Sequence, residues 1–198
     1  MNWYKITKLS QIETELGYFQ ELSDKDDYVP KINPLKEKLE KEFGVHIVSK
    51  IGQGDSGQAY LLSDGNVLKI TTNSQEGKNA IWLKDNPHPN IANYKEVWKE
   101  NNLYYIIMEK LNMNVPMAIE RLIYFIEKKL DEYRCYSPFC AYEVLKKIMK
   151  SNKDLENVPG ALEIMSYLEH ISTIKAFDFL NVSNLGMKNG KMKFFDIT

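Results

Sequence analysis

The residues with the most chemistry to offer lie in Ile51-Gly-Gln-Gly-Asp-Ser-Gly-Gln-Ala-Tyr60 and in the run Val67-Leu-Lys-Ile70 that follows it. Gly52, Gly54 and Gly57 fall in the turn between two strand-like stretches. Without Cβ atoms, such residues let backbone N–H groups close around phosphate oxygens. The same spacing also suits a plain glycine-rich hairpin. A dinucleotide-binding reading is disfavoured, because the element after the glycines reads as a strand rather than a helix. Period-two alternation puts Lys69 on the strand face opposite Leu68 and Ile70. An ammonium among apolar neighbours is costly to bury without an anionic partner, and the alternative is an edge lysine with its head in solvent. Glu76, at the start of the next helical stretch, can supply that partner; it can equally serve as a first-turn glutamate facing the helix dipole.

These groups need a scaffold, and the strand signals describe one. Runs at 45–51, 58–62 and 66–71 are β-branched or aromatic, and the last two are separated by Ser63-Asp-Gly65. A helix around Glu76–Leu83 follows, then strands Tyr94–Trp98 and Leu103–Met108 about the turn Lys99–Asn102. Five strands with one helix after the third describe an antiparallel sheet, not a doubly wound one. Helical periodicity dominates 116–132, 141–151 and 159–173. Leu185–Met187 and Met192–Phe195 then bracket Asn189-Gly190, a strong hairpin signal that carries Asp196 back towards Asn184. Upstream, Ile6, Leu9, Ile12, Leu16 and Phe19 form one helical stripe. Pro30 and Pro34 interrupt it, Leu35, Leu39 and Phe43 resume it, and Gly44 stops it. Three segments are expected: a helical extension at 1–43, a sheet unit at 44–111 and a helical unit at 112–198.

Composition narrows the function classes. A balance of 26 basic against 27 acidic residues gives a net charge of −1, which offers no global attraction to nucleic acid or anionic lipid. Alternating charges such as Lys36, Glu37, Lys38, Glu40 and Lys41 read as a solvated helix face. The longest apolar run, Leu103–Met108, is far short of a membrane span, and the N-terminus has no signal-peptide core. Cys135 and Cys140 lack His partners at ligand spacing and do not read as a disulfide framework. The expectation is a reduced, soluble, cytoplasmic protein. His46, His88 and His170 are scattered, without metal-ligand spacing, and the aromatics fall where core packing accounts for most of them.

From Ile51 to Leu111 the chain resembles the protein-kinase-like superfamily. The glycine loop, the strand lysine, His88-Pro-Asn-Ile91 and the run Asn102-Leu-Tyr-Tyr-Ile-Ile-Met-Glu-Lys-Leu111 occur in that family's order. The resemblance implies an α+β, two-lobed fold with a five-stranded antiparallel N-lobe and a reduced helical C-lobe ending in a hairpin. It implies ATP as the nucleotide, Lys69 on the phosphates, Met108 as gatekeeper, and backbone groups of Glu109 and Leu111 at the adenine edge. Further along, Asp178 matches the catalytic aspartate that aligns and deprotonates the acceptor hydroxyl. Asn184 and Asp196 match the ligands of Mg²⁺, for which hard oxygens are suited.

The departures are specific. Ala176-Phe177-Asp178 stands where the family has His-Arg-Asp, and Leu180 replaces a basic residue. Asn184 lies one position late; Ser183 occupies the matching place, and Asn181 is another candidate for the metal. With Thr198 as the last residue, the resemblance is to compact kinase-like proteins of phages and bacteria, for which the family's activation loop and peptide-binding helices are not expected in their usual form. The expected function is ATP- and Mg²⁺-dependent phosphotransfer to a hydroxyl, of a protein Ser/Thr in the first instance. An inactive nucleotide- or partner-binding module and a small-molecule kinase are the alternatives. A protein partner or a second copy is expected to complete the reduced C-lobe.

Overall fold

The computed structural model describes residues 32–54, 56–176 and 179–197. The stripe from Ile6 to Phe19, and with it most of the expected N-terminal extension, lies outside the described residues. Among the described residues the fold is α+β, with a five-stranded antiparallel sheet, a two-stranded hairpin and five α-helices.

The sheet is built from β1 (Ile47–Gly54), β2 (Gly57–Leu62), β3 (Val67–Thr71), β4 (Tyr94–Glu100) and β5 (Leu103–Met108), in the order β1-β2-β3-β5-β4. Each tight connection has a local cause. Gly65 takes φ 81°, and Asp64 Oδ1 accepts from the Asn66 amide at 3.0 Å to close the β2–β3 turn. Asn101 and Asn102, at φ 48° and 64°, make the β4–β5 turn with the left-handed pair that a two-residue hairpin needs. Helix α2 (Ser74–Asp85) starts where Asn73 caps it, its side chain accepting from the amides of Gln75 and Glu76. It therefore begins two residues before the stretch predicted from periodicity, which places Glu76 in its first turn.

The two faces of the sheet have different coverings. Tyr60, Leu62, Leu68, Ile70, Tyr105 and Ile107 point outward, where α1 (Ile32–Lys38) and the wider π-turn Leu39–Phe43 lie over them. Leu39 is fully buried there, and Phe43 stacks on Trp98. The segment stops at Gly44, φ 67°, as its sequence predicts. Residues 32–43 are thus a lid on the outer face, a packing role. The inner face, with Val67, Ile106 and Met108, meets Ala80 and Leu83 of α2 and merges with the core of the helical unit.

That unit contains α3 (Met117–Glu132), α4 (Pro138–Ser151) and α5 (Ala161–Ile171), followed by the hairpin of β6 (Leu185–Lys188) and β7 (Lys191–Phe194). Asn189 and Gly190 turn it at φ 52° and 75°, as the Asn-Gly pair predicts. β7 is tied to the segment before β4: Ala92 N–H donates to Phe194 O and Phe194 N–H to Asn90 O, both at 2.8 Å. Tyr167 of α5 stacks on Phe194 at 3.8 Å, both side chains fully buried. One expectation is overturned. Cys135 and Cys140 are joined in a disulfide, with Cα atoms 5.6 Å apart. The loop between α3 and α4 folds back before Ser137 caps α4, bringing the two thiols together across five residues. No helix among the described residues is long and apolar enough to cross a membrane.

Candidate functional site

The three loop glycines are not equivalent. A Cβ on Gly57 would run into the carbonyl oxygen of Ile70, so the β2–β3 approach itself demands glycine there. A Cβ on Gly52 would make ordinary contact with Ala59 at 3.7 Å, and one on Gly54 would meet nothing within 4 Å. Packing among the described residues does not account for glycine at 52 or 54. The tip beside them is anchored, since the Thr72 amide donates to Ser56 O at 2.8 Å and the Thr71 hydroxyl to the same oxygen at 3.0 Å.

Beneath the hairpin, β3 presents Lys69 on the inner face, opposite Leu68 and Ile70, as alternation predicts. Its Nζ lies 2.5 Å from Glu76 Oε1 and also pairs with Asp196 Oδ1. The side chains are 14%, 5% and 27% exposed for Lys69, Glu76 and Asp196, so one ammonium faces two carboxylates in a partly closed crevice. Burial, offset by Lys69 and reinforced by the charge of Asp196, pushes the Glu76 carboxyl up to about 7. Glu76 reaches this position because α2 sits close to the sheet: Gly77 packs against the Tyr104 ring, which leaves no room for a Cβ.

Asp196 follows β7 at φ 56°, a left-handed conformation that a short polar side chain tolerates better than most. Several groups hold it. Asn184 Nδ2 donates to Asp196 O at 3.2 Å, and Phe195 N–H to Asn184 O at 2.9 Å. The buried Tyr94 hydroxyl is hydrogen-bonded by the backbone at Asp196 and Ile197. Burial and the charges of Asp196 and Glu76 raise its pKa far above the usual phenolic value, so it stays neutral. One residue further, Ile197 O accepts from Asn79 Nδ2 of α2. Of the two asparagines considered for a metal, Asn184 is therefore the one brought against Asp196. Asn181 instead caps the short turn Val182–Asn184, its Oδ1 accepting from the Ser183 amide at 2.9 Å and the Ser183 hydroxyl at 2.8 Å. Asp178 lies outside the described residues.

The segment after β5 departs in part from expectation. Met108 is buried on the inner face, paired with Val67 and Tyr94. The Glu109 amide donates to Asn93 O at 2.9 Å, so its carbonyl is the one backbone group it can present to a ligand. Its carboxylate accepts from the Asn93 amide at 2.8 Å and pairs with Lys193 of β7. Leu111 packs on Gly186, where a Cβ would come within 2.6 Å of the Leu111 Cβ. A cavity of about 380 Å³, lined by Leu83, His88, Asn93, Tyr94, Glu109 and Lys193 among others, shares no lining residue with the glycine hairpin or Lys69.

Sequence reasoning passed over Asn79, Tyr94, Asn93 and Lys193. Asn79 alone left a signal: it falls one turn after Glu76, a polar residue beside the core positions Ala80 and Leu83. Among the described residues no three His, Cys, Asp or Glu side chains cluster as a metal cage. The donors at hand, the Asp196 carboxylate and the Asn184 amide oxygen, are hard oxygens. Their chemistry would suit a hard divalent cation such as Mg²⁺. No model of a known protein family matches the chain, and no curated protein is detectably similar to it.

Proposed function

We propose that this protein is a kinase-like phosphotransferase with two lobes, moving the γ-phosphoryl group of ATP to a hydroxyl acceptor, a protein Ser/Thr in the first instance. The observation that carries this reading is the convergence of Lys69, Glu76 and Asp196 beneath a hairpin whose Gly52 and Gly54 have no packing reason, among the described residues, to be glycine. The motif order from the glycine loop to Leu111 supports it.

In this scheme the loop amides and Lys69 hold the phosphates, while Glu76 keeps the Lys69 amine aimed. Adenine lies against the segment after Met108, meeting the Glu109 carbonyl and Leu111. Asn184 and Asp196 would hold Mg²⁺, which when bound neutralises phosphate charge. Asp178 aligns the acceptor and takes its hydroxyl proton as oxygen bonds to the γ-phosphorus and ADP leaves. Such transfer asks chiefly for positioning and charge, which a small scaffold can supply.

A second reading, nucleotide binding without transfer, is favoured by Ala176-Phe177 at the family's His-Arg positions. Radiolabelled γ-phosphate separates the two. The parent is expected to label a protein acceptor in a cell extract, and Lys69→Ala to do so at least about 10²-fold more slowly. A Lys69→Ala protein as fast as its parent contradicts phosphotransfer at this site. Labelling of small molecules alone moves the acceptor to that class.

A further inference from the structure

Asn79 is 3% exposed and sits one helical turn after Glu76 on α2. Its amide is engaged on every side. Nδ2 donates to Lys175 O at 2.9 Å and to Ile197 O at 3.1 Å, while Oδ1 accepts from Gln75 Nε2 at 2.9 Å. Gln75 Nε2 also reaches Lys175 O, at 3.2 Å. Carbonyl oxygens only accept, so the orientation of the Asn79 amide is fixed: its nitrogen must face both. Those two carbonyls belong to different parts of the chain. Lys175 follows α5, and Ile197 follows Asp196 beyond β7.

We infer that Asn79 is a positioning residue that locks the helix carrying Glu76 to the segment carrying Asp196, so that the two carboxylates reach Lys69 together. The consequence for nucleotide rests on the phosphotransferase reading; the lock itself does not. Lys69 can gather both carboxylates only if α2 and the end of β7 are held in one arrangement. Among the described residues, the polar ties between them are Lys69, the contact between the Glu76 and Asp196 side chains, and this one amide, which alone reaches the backbone of the Asp196 segment from α2. A buried amide with both hydrogens spent on backbone oxygens has a single low-energy placement, because any displacement strands a donor or an acceptor away from water. Asn79 thereby sets the spacing between Glu76 and Asp196 without touching nucleotide.

The test uses the full chain with Asn79→Leu, which keeps the branched shape at somewhat larger volume and removes the hydrogen bonds, and Asn79→Ser as the smaller variant should the leucine one not fold. Two readouts are followed. In hydrogen exchange, backbone amides at 172–176 and 195–197 are expected to exchange about tenfold faster than in the parent, while those at 57–62 stay unchanged. In titrations with ATP, the affinity gained on adding Mg²⁺ is expected to fall about tenfold, with affinity for metal-free ATP unaltered. Parent-like exchange at both segments overturns the lock. Faster exchange with an intact Mg²⁺ increment overturns its part in assembling the site. A parent that gains nothing from Mg²⁺ counts against the phosphotransferase reading instead, and the exchange data still decide the lock.

Discussion

Once Glu76 is ionised, above about pH 7, Lys69 faces more negative charge than it can neutralise, and this shapes what the crevice will accept. A bare triphosphate would bring further negative charge towards Glu76 and Asp196, whereas a nucleotide accompanied by a divalent cation offsets it. The raised pKa of Glu76 has a consequence for stability that needs no ligand. Between pH 4.5 and about 7 the unfolded chain has released this proton and the folded chain still holds it, so the Glu76 contribution to stability falls as pH rises. Glu76→Gln is expected to flatten that part of the pH profile, measured by urea unfolding at intervals across the window. An unchanged slope would show that Glu76 titrates normally. The glycines give a second prediction. Gly57→Ala, forced against Ile70 O, is expected to cost roughly 1–3 kcal/mol of stability. Gly54→Ala should leave stability within about 0.5 kcal/mol yet weaken binding of Mg²⁺-ATP, as calorimetry would record. Lys69 and the glycine spacing were legible as sequence because three glycines in one turn followed by a lysine within an apolar strand stand out by residue type and order alone. Tyr94 was not, since a tyrosine at a strand start has an ordinary packing role and its partner lies far along the chain.

At the level of elements, α2 is the piece whose placement matters most. Asn73 starts it, Gly77 lets it close on Tyr104, and Asn79 ties it to Lys175 and Ile197. Gly77→Ala is expected to push the helix off the sheet, lowering the unfolding free energy by about 1–3 kcal/mol and separating Glu76 from Lys69. Weakened Mg²⁺-ATP binding should accompany that loss; a stability change with binding intact would detach helix position from the site. The strands and the β6–β7 hairpin were readable because alternation and the Asp-Gly and Asn-Gly turns are local signals. The covering of the outer face by 32–43 was not. Apolar residues at a spacing of four announce that a face is buried, but not against what. The disulfide escaped for a similar reason: two cysteines five apart become partners only once the loop between α3 and α4 is folded.

Across the whole molecule, the sheet and the helical unit share one core and a polar seam. His88, in the turn before β4, stacks on His170 of α5 at 4.6 Å, and Trp82 lies against His170 at 5.1 Å. His88 Nδ1 accepts from the Asn90 amide and its Nε2 meets the Ser166 hydroxyl, while His170 Nε2 donates to Asn86 O. A ring nitrogen that accepts is unprotonated, so His88 is neutral here. Burial and the neighbouring His170 both lower its pKa. Below about pH 6.5 the unfolded chain takes up a proton that the folded chain resists, so stability contributed at this seam is lost as pH falls. Thermal unfolding of the parent and of His88→Gln from pH 5 to 8 should show the acid-side loss in the parent and a weaker one in the variant. Equal acid sensitivity would place the effect elsewhere.

The central claim is that the glycine hairpin and the Lys69 cluster together receive one Mg²⁺-bound triphosphate. Calorimetric titration of the parent and of Lys69→Ala with ATP, with and without Mg²⁺, tests it most directly. The account predicts saturable one-to-one binding that strengthens with Mg²⁺ and drops about tenfold or more in Lys69→Ala. No binding by the parent, or equal affinity in the two proteins, would contradict it.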